Sequence, residues 1–445
     1  MSFSDKMNRL EALIVAAKRA GAHQADAVLS SGVSISVGRR LGKVEEIERS
    51  ESENIGLRVF IGQRSAIVSS GYIDSTEFDR LAEQAVGMAR MVPEDQFASI
   101  PEAVPAGDVT TLDLVDPVEP AVEALLERAA AAEEAALAVP GVTNSEGAGV
   151  SWSRTTTGLV TSHGFSGFYT RSKHSISVAP VAGAGVGMQR DYETCSTTHA
   201  SDLDDPVTLG RQAAERAVRR LNPVRPKTGS LPVVYHPRVA SGLIGHFSSA
   251  INGAAIARGT SFLKDCIGKS VFGTNISIID DPLRPRGTRS RMFDGEGQPT
   301  SRRVLIENGV LTTWLLDSRS AAQLNLTTTG HASRNCSTPP APSASNLYVQ
   351  PGVLSAAELI ADISLGLYII ELIGHGVNGI TGDYSRGAAG FMIRNGVIAE
   401  PVAEITIAGN LRQMYAELTP ANDLEFRRGT DSPTVRVEGM TVAGA

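Results

Sequence analysis

The chain has 445 residues, long enough for at least two domains with sizeable cores, so a small disulfide-stapled module is excluded. Its formal net charge is -7, from 41 Lys plus Arg against 48 Asp plus Glu, with no basic stripe, which argues against a dedicated nucleic-acid binder. The composition is 42% hydrophobic and 20% charged, that of a globular protein, and Cys195, Cys266 and Cys336 form no C-x-x-C pair, so neither a zinc ribbon nor a disulfide framework is expected and a reducing compartment is.

The N-terminus has no basic n-region followed by an apolar run, and no stretch of about twenty apolar residues occurs later. A cytoplasmic protein with no membrane association is therefore expected. Leu10, Leu13, Ile14 and Ala17 recur at helical spacing and predict an amphipathic helix ending near Gly21. Alternation at Val33–Val37 predicts a strand, and Ile55–Ile61 and Ser65–Ser69 predict two more that turn at Gly62-Gln63. Ser75 has the chemistry of a helix cap, with the helix running to about Met91 before Pro93.

Asp116-Pro117-Val118-Glu119 reads as a capping acid, a proline at the first helical position and an acid in the first turn, predicting a helix that faces inward at Val118, Val122, Leu125 and Ala129. Ser- and Thr-rich extended segments follow to about His199, and Asp205-Pro206 opens a further helix that ends at Leu221-Asn222-Pro223. Helix, strands, helix thus occurs twice, suggesting an internal duplication. The proline-rich stretch 222–229 reads as a linker, dividing the chain into an N-terminal α+β domain (1–225) and a C-terminal domain (230–445). In the second part, Arg238–Ala257 predicts a small-residue helix, and Asn308-Gly309 and Asn395-Gly396 are two-residue hairpin signals. The stretch 327–346 reads as a long functional loop. The fold class expected is α+β, with the C-terminal domain mainly antiparallel β and carrying a few helices.

The eight histidines are dispersed, none within five residues of another. A helical zinc-peptidase site needs two imidazoles on one helix face and a glutamate beside the first. His246 lies in a helix, but Phe247 follows it, and no Asp or Glu occurs between Leu231 and Lys264. Ser261–Lys264 matches S-x-x-K and Lys227–Gly229 matches K-T-G, but in reversed order and without S-D-N, so a penicillin-recognising serine enzyme is rejected. Gly183–Gly187 lacks the strand-then-helix setting of a dinucleotide loop and reads as a hairpin or a close strand contact. The densest concentration of unusual residues is Gly374–Gly390, rich in glycine and carrying Asn378, Asp383, Tyr384 and Arg386. Its two readings are a peptide-binding loop and a structural turn in which Asp383 pairs with Arg386.

Several of these segments together resemble one family. Gly376-Val377-Asn378, Thr381–Ala388, Gly390-Phe391, Asn395-Gly396 and Pro401–Leu411 are similar to the C-terminal signature of TldD/PmbA proteins. The loop Thr329–Arg334, the strand Asn346–Val349, the helix Leu243–Phe247 and Ser261-Phe262-Leu263 resemble it as well. The resemblance implies two kinds of chain that associate into a zinc-dependent peptidase acting on unfolded peptides, including a microcin precursor and an antitoxin. TldD-type chains bear an H-E-x-x-x-H helix and a later cysteine as zinc ligands. Here the helix offers only His246 and the later segment reads Thr381-Gly382-Asp383-Tyr384, so the chain resembles the PmbA, or TldE, kind.

The expectation is a catalytically silent subunit with no catalytic residue and no metal or cofactor of its own, zinc being held by a TldD-type partner. The residues put forward for lining the peptide cleft are His331, Ser333, Arg334, Asn378, Thr381, Asp383, Tyr384 and Arg386. A homodimer in isolation is compatible with this reading. Two rivals are a stand-alone metallopeptidase using His246 or His331 with Asp383, and a binding protein that modulates DNA gyrase, as the family's older description has it.

Overall fold

The computed structural model describes residues 3–71, 74–105 and 107–444. Helix α1 (Phe3–Arg19) buries Leu10, Leu13, Ile14 and Ala17, as their spacing predicts. It leads into three antiparallel strands, β1 (Gln24–Arg40), β2 (Lys43–Ile61) and β3 (Arg64–Ser70), and then α2 (Phe78–Met91). Ser75 does not cap α2: Asp74 accepts a hydrogen bond from the Thr76 amide (3.0 Å) and opens a short 3-10 turn that precedes the helix.

The next helix, α3 (Val122–Leu137), starts later than Asp116-Pro117 suggests and has no side-chain cap. Pro120 is the reason, because a residue before proline is driven out of the helical region. Asp116 instead accepts from the Val118 amide (3.0 Å) and, across the fold, from the Ala200 amide (2.9 Å), while Val118 lies exposed. Two long strands, β4 (Val142–Thr161) and β5 (Ser166–Ala182), two short ones, β6 (Gln189–Arg190) and β7 (Glu193–Thr197), and α4 (Pro206–Arg219) complete the N-terminal half. Gly183–Gly187 forms the tight connection that returns the chain from β5 to β6.

These strands form one sheet in the order β3-β2-β1-β4-β5-β6, with β7 also on β5. The odd-numbered residues of β1 face a single helical layer: Ala25, Ala27 and Leu29 pack under α1 and α2, and Ile35 and Val37 under α3 and α4. The repeated helix–strands–helix pattern is therefore a repeated architecture on a shared sheet. The opposite face carries Val28 and Leu159, which pack with Phe293 and Cys336 from the second half of the chain. Gly56 is required there, since a Cβ would collide with the Cys336 carbonyl.

The second half opens with β8 (Gly229–Tyr235) and α5 (Pro237–Ala250). The single helix expected over 238–257 is broken: Asn252 accepts from the Ala254 amide (3.0 Å) and starts α6 (Gly253–Ala257). The Gly253 amide donates to the Leu315 carbonyl (2.8 Å), and a Cβ there would meet Leu316 and Ser320, so the chain needs both the break and the glycine. Then come β9 (Ile278–Asp280), β10 (Arg303–Glu307), β11 (Val310–Leu311), α7 (Ser318–Gln323), β12 (Ala332–Ser333), β13 (Ala341–Pro342), β14 (Leu347–Val349) and α8 (Ala356–Ala361). The chain ends in β15 (Leu365–Ile373), β16 (Asp383–Arg394), β17 (Val397–Asn410), α9 (Leu411–Ala416), β18 (Leu418–Pro420), β19 (Thr430–Asp431) and β20 (Val435–Ala443). Both Asn-Gly turns have positive φ at each residue, 48° and 84° at Asn308-Gly309 and 49° and 77° at Asn395-Gly396, which is why those pairs close the hairpins.

Strands β17-β16-β15-β8-β20 run in that order and β17 pairs β20 as well, so the sheet closes on itself around an apolar interior that includes Val233, Ile369, Ile407 and Val437. Apart from β8–β15 and β14–β19, the C-terminal pairings are antiparallel. A smaller sheet, β11-β10-β9-β14-β19, packs beside it. Two buried carboxylates tie the halves together. Asp26 holds Arg58 (Nε, 2.8 Å) and Arg334 (Nη1, 2.6 Å), and Asp191 holds Arg238 through both oxygens (2.7 and 3.0 Å) with Arg216 and Arg220 at 3.2 and 3.3 Å. The arginines keep both carboxyls below the ordinary carboxylate range against the upward push of burial.

Candidate functional site

The glycine-rich segment joins β15 to β16 at one end of the barrel, where it meets α5. Gly376 and Ser385 lie back to back, the Ser385 amide donating to the Gly376 carbonyl (2.7 Å), and a Cβ on Gly376 would fall on the Ser385 carbonyl. The Asn378 amide donates to the Asp383 carbonyl (2.8 Å), and the Asn378 side chain accepts from the Ile380 and Thr381 amides (2.9 and 3.3 Å). Gly382 has φ of 84°, the left-handed conformation the turn demands. The loop is pinned below by the Phe262 amide on the Gly379 carbonyl (3.0 Å) and the Leu411 amide on the Gly382 carbonyl (2.7 Å). Ile373 and Ile380 remain exposed beside it.

Within this loop the Thr381 hydroxyl donates to Asp383 (2.6 Å) and the Asn410 amide group to its other oxygen (3.1 Å), and these bonds hold the Asp383 carboxyl below its ordinary range. Arg386 does not pair with Asp383; its Nε donates to the Ile373 carbonyl (3.3 Å). Tyr384 is buried, its ring edge-to-face with His246 at 6.2 Å between centroids. Burial pushes the Tyr384 phenol up to about 12, opposed in part by the neighbouring Tyr235 hydroxyl and the charge of Arg386. The same burial, helped by Arg386, pushes the His246 imidazole below its ordinary value. A divalent cation needs three or four nitrogen, sulfur or oxygen ligands, and the positive charge of Arg386 near His246 and Tyr384 opposes one there. Among the described residues no three His, Cys, Asp or Glu side chains come together in a metal-holding group.

The other predicted cleft residues lie in the loop over 327–346. His331 is buried between the Thr329 hydroxyl (2.8 Å, Nδ1) and Asp280 (3.2 Å, Nε2), whose carboxylate also accepts from the Ser345 amide and hydroxyl, both at 2.6 Å. Ser333 is on β12, and the next residue, Arg334, reaches Asp26 in the N-terminal sheet. Among the described residues no hydrogen bond or ion pair joins this group to the 378–386 group, and neither His246 nor His331 is paired with Asp383.

A buried acidic pair beside this group, Asp294 and Glu296, carries no motif in the sequence. Asp294 accepts from the amides of Glu296 (2.9 Å), Gln298 (3.0 Å) and Ala332 (3.0 Å), and Glu296 accepts from the Ser318 amide (2.8 Å). Burial, with the Asp294 charge adding to it, pushes the Glu296 carboxyl up to about 7.

Three sections of the chain match known domains: residues 25–89 match PmbA/TldA metallopeptidase domain 1, 115–221 its central domain and 228–444 its C-terminal domain. The chain belongs to the PmbA/TldD metallopeptidase family. It is 36% identical to the metalloprotease PmbA of Escherichia coli O157:H7, covering 94% of this chain and 92% of that one. It is 33% identical to the PmbA homologue of Haemophilus influenzae, covering 96% and 94%. In fold it superposes on TldE from Thermococcus kodakarensis with a TM-score of 0.85 at 20% identity, covering 98% of this chain and 100% of that one. A Bacteroides thetaiotaomicron protein described as a candidate modulator of DNA gyrase superposes with a TM-score of 0.91 at 23% identity, covering 100% of both. No helix among the described residues is long and apolar enough to cross a membrane, which says nothing of a β-barrel.

Proposed function

We propose that this chain is the catalytically silent, TldE-type subunit of a heterodimeric zinc metallopeptidase, and that it helps present an extended peptide to zinc held by a TldD-type partner. The observation that carries the reading is the packing of His246 against Tyr384, with the Arg386 charge acting on both, at the end of α5 where a zinc peptidase of this family would need further ligands. A cation there disfavours a second cation. The exposed, tightly braced loop with Asn378, Thr381, Asp383 and Arg386 supplies polar groups for a peptide's backbone, which suits sequence-tolerant recognition.

The test is metal content and cleavage of an unfolded peptide, for the purified chain alone and after mixing with a TldD-type chain. The expected result is a metal-free, inert single chain and a mixture that cleaves and is stopped by a chelator. Stoichiometric zinc and chelator-sensitive cleavage by the chain alone would overturn the reading and favour a stand-alone peptidase.

A further inference from the structure

A cavity of about 300 Å³ opens at the seam between the two halves of the chain, away from the barrel end described above. Its walls come from β5, β7, the turn at 288–289 and the loop at 427–428. Five of the residues lining it are basic, Arg171, Lys173, Arg289, Arg427 and Arg428, and the other six are all serine or threonine. Among the described residues no acidic, apolar or aromatic residue lines the wall. In a chain whose net charge is -7 this is a local inversion of sign.

Four of the five cations have no ion-pair partner among the described residues; Arg427 pairs with Asp204 and with Glu425 (2.7 Å). Its loop is fixed by Asp431, which accepts from the Arg427 and Arg428 amides at 2.9 Å each. The Arg289 amide donates to Asn346 (3.0 Å), and its guanidinium reaches only the Thr430 hydroxyl (3.3 Å). Arg171 donates to the Ser290 carbonyl, while its Nε is buried without a partner. Burial, with the nearby charge of Arg291 acting the same way, makes the Arg171 guanidinium less ready to hold its proton than an exposed one. Like charges gathered in a concave, partly desolvated wall repel, and a bound anion turns that repulsion into attraction.

We propose that this cavity is a binding site for a small polyphosphoryl oxyanion, a diphosphate or triphosphate group. Guanidinium groups in several orientations match phosphate oxygens in pairs, and hydroxyls such as those of Thr194 and Thr288 complete a donor set. With no aromatic or apolar residue in the lining, only guanidinium planes could stack a nucleobase, so recognition rests mainly on the phosphates. The volume lies at the small end of the roughly 300–1,000 Å³ typical of ligand pockets, which suits a short chain of phosphoryl groups. This site is independent of the peptidase reading.

The test is calorimetric titration of the full chain with inorganic phosphate, pyrophosphate, triphosphate, ATP and a hexaglutamate peptide at fixed salt. Triphosphate is expected to bind one per chain, about tenfold or more tighter than phosphate, and ATP within about threefold of triphosphate. Arg289→Ala with Arg428→Ala should weaken triphosphate at least about thirtyfold, and Arg289→Lys with Arg428→Lys by less. Lys173→Glu, at an exposed strand position, should weaken it about tenfold with an unchanged thermal midpoint, and serves if the double variant fails to fold. No saturable triphosphate binding, binding unchanged in Lys173→Glu, or hexaglutamate binding more tightly than triphosphate would each overturn the assignment.

Discussion

Replacing Glu296 by glutamine should change how stability depends on pH. The carboxyl ordinarily titrates at 4.5 and is raised to about 7 in the folded chain, so the folded state binds a proton more readily than the unfolded state. Its contribution is fully present below pH 4.5 and is lost as pH rises through about 7. A gap of roughly 2.5 units corresponds to about 3 kcal/mol, and the side chain is buried enough for solvent screening to be minor. Glutamine keeps an oxygen for the Ser318 amide and carries no charge to desolvate. The stability of Glu296→Gln relative to the parent should therefore rise from near its starting value at pH 4.5 to about 3 kcal/mol more favourable at pH 8. His236 runs the other way: burial first, then Arg238, lowers it to about 3, so its contribution is lost as pH falls through 6.5 toward 3. That change is common to both proteins and cancels in the difference. Urea unfolding followed by fluorescence of Trp152 and Trp314 at pH 5, 6, 7 and 8 gives the comparison. A variant-minus-parent difference that is flat across this range would refute the reasoning.

Asp26→Ala leaves Arg58 and Arg334 buried without their anion and should cost about 3–5 kcal/mol in chemical denaturation, far more than the same change at the exposed Asp79. Gly376→Ala should disrupt the barrel-end loop, whereas Gly379→Ala, with open space around the added methyl, should leave it intact; thermal midpoints and partner-dependent cleavage of the two variants make the check. Asp383→Ala combined with Arg386→Ala should lower peptide cleavage by the mixed chains about tenfold or more, and unchanged turnover with an intact complex would remove both from the site.

What could be read in the sequence was what neighbouring residues decide. Asn308-Gly309 and Asn395-Gly396 specify their turns because the conformation needs those residue types, and Asp205-Pro206 opens α4 with the Thr208 amide on Asp205 at 2.8 Å. Asp116-Pro117 carried a similar pattern but had Pro120 close behind it, a local veto that the capping signal does not display. The break at Asn252 depends on Leu315 and Pro342, the latter accepting from the Asn252 side chain at 2.7 Å. The barrel sheet pairs β8 with β20, residues some two hundred positions apart, and periodicity within either strand is silent about that. The candidate cleft was legible as a segment, since glycines gathered at 374–390 demand a close backbone path. Its division from the His331–Arg334 group was not, because the partners that hold those side chains, Asp280 and Asp26, lie far along the chain.

Helix α5 connects the seam to the barrel end. Near its start, Arg238 is locked onto Asp191 and its Nε donates to the Ile370 carbonyl in β15 (2.6 Å). Eight residues and about 12 Å further along the helix, His246 faces Tyr384. Tyr415, from α9, donates to the Leu243 carbonyl between them (3.0 Å). The segment that opens the glycine-rich loop leaves the same strand, β15, that Arg238 grips. The loop is thus positioned by a rigid helix and strand whose common anchor is a carboxylate in the N-terminal half, so the orientation of the halves and the placement of Asp383 and Arg386 are fixed by one set of charges. An exposed loop built on such a support keeps its polar groups in place, as the proposed peptide-presenting role requires.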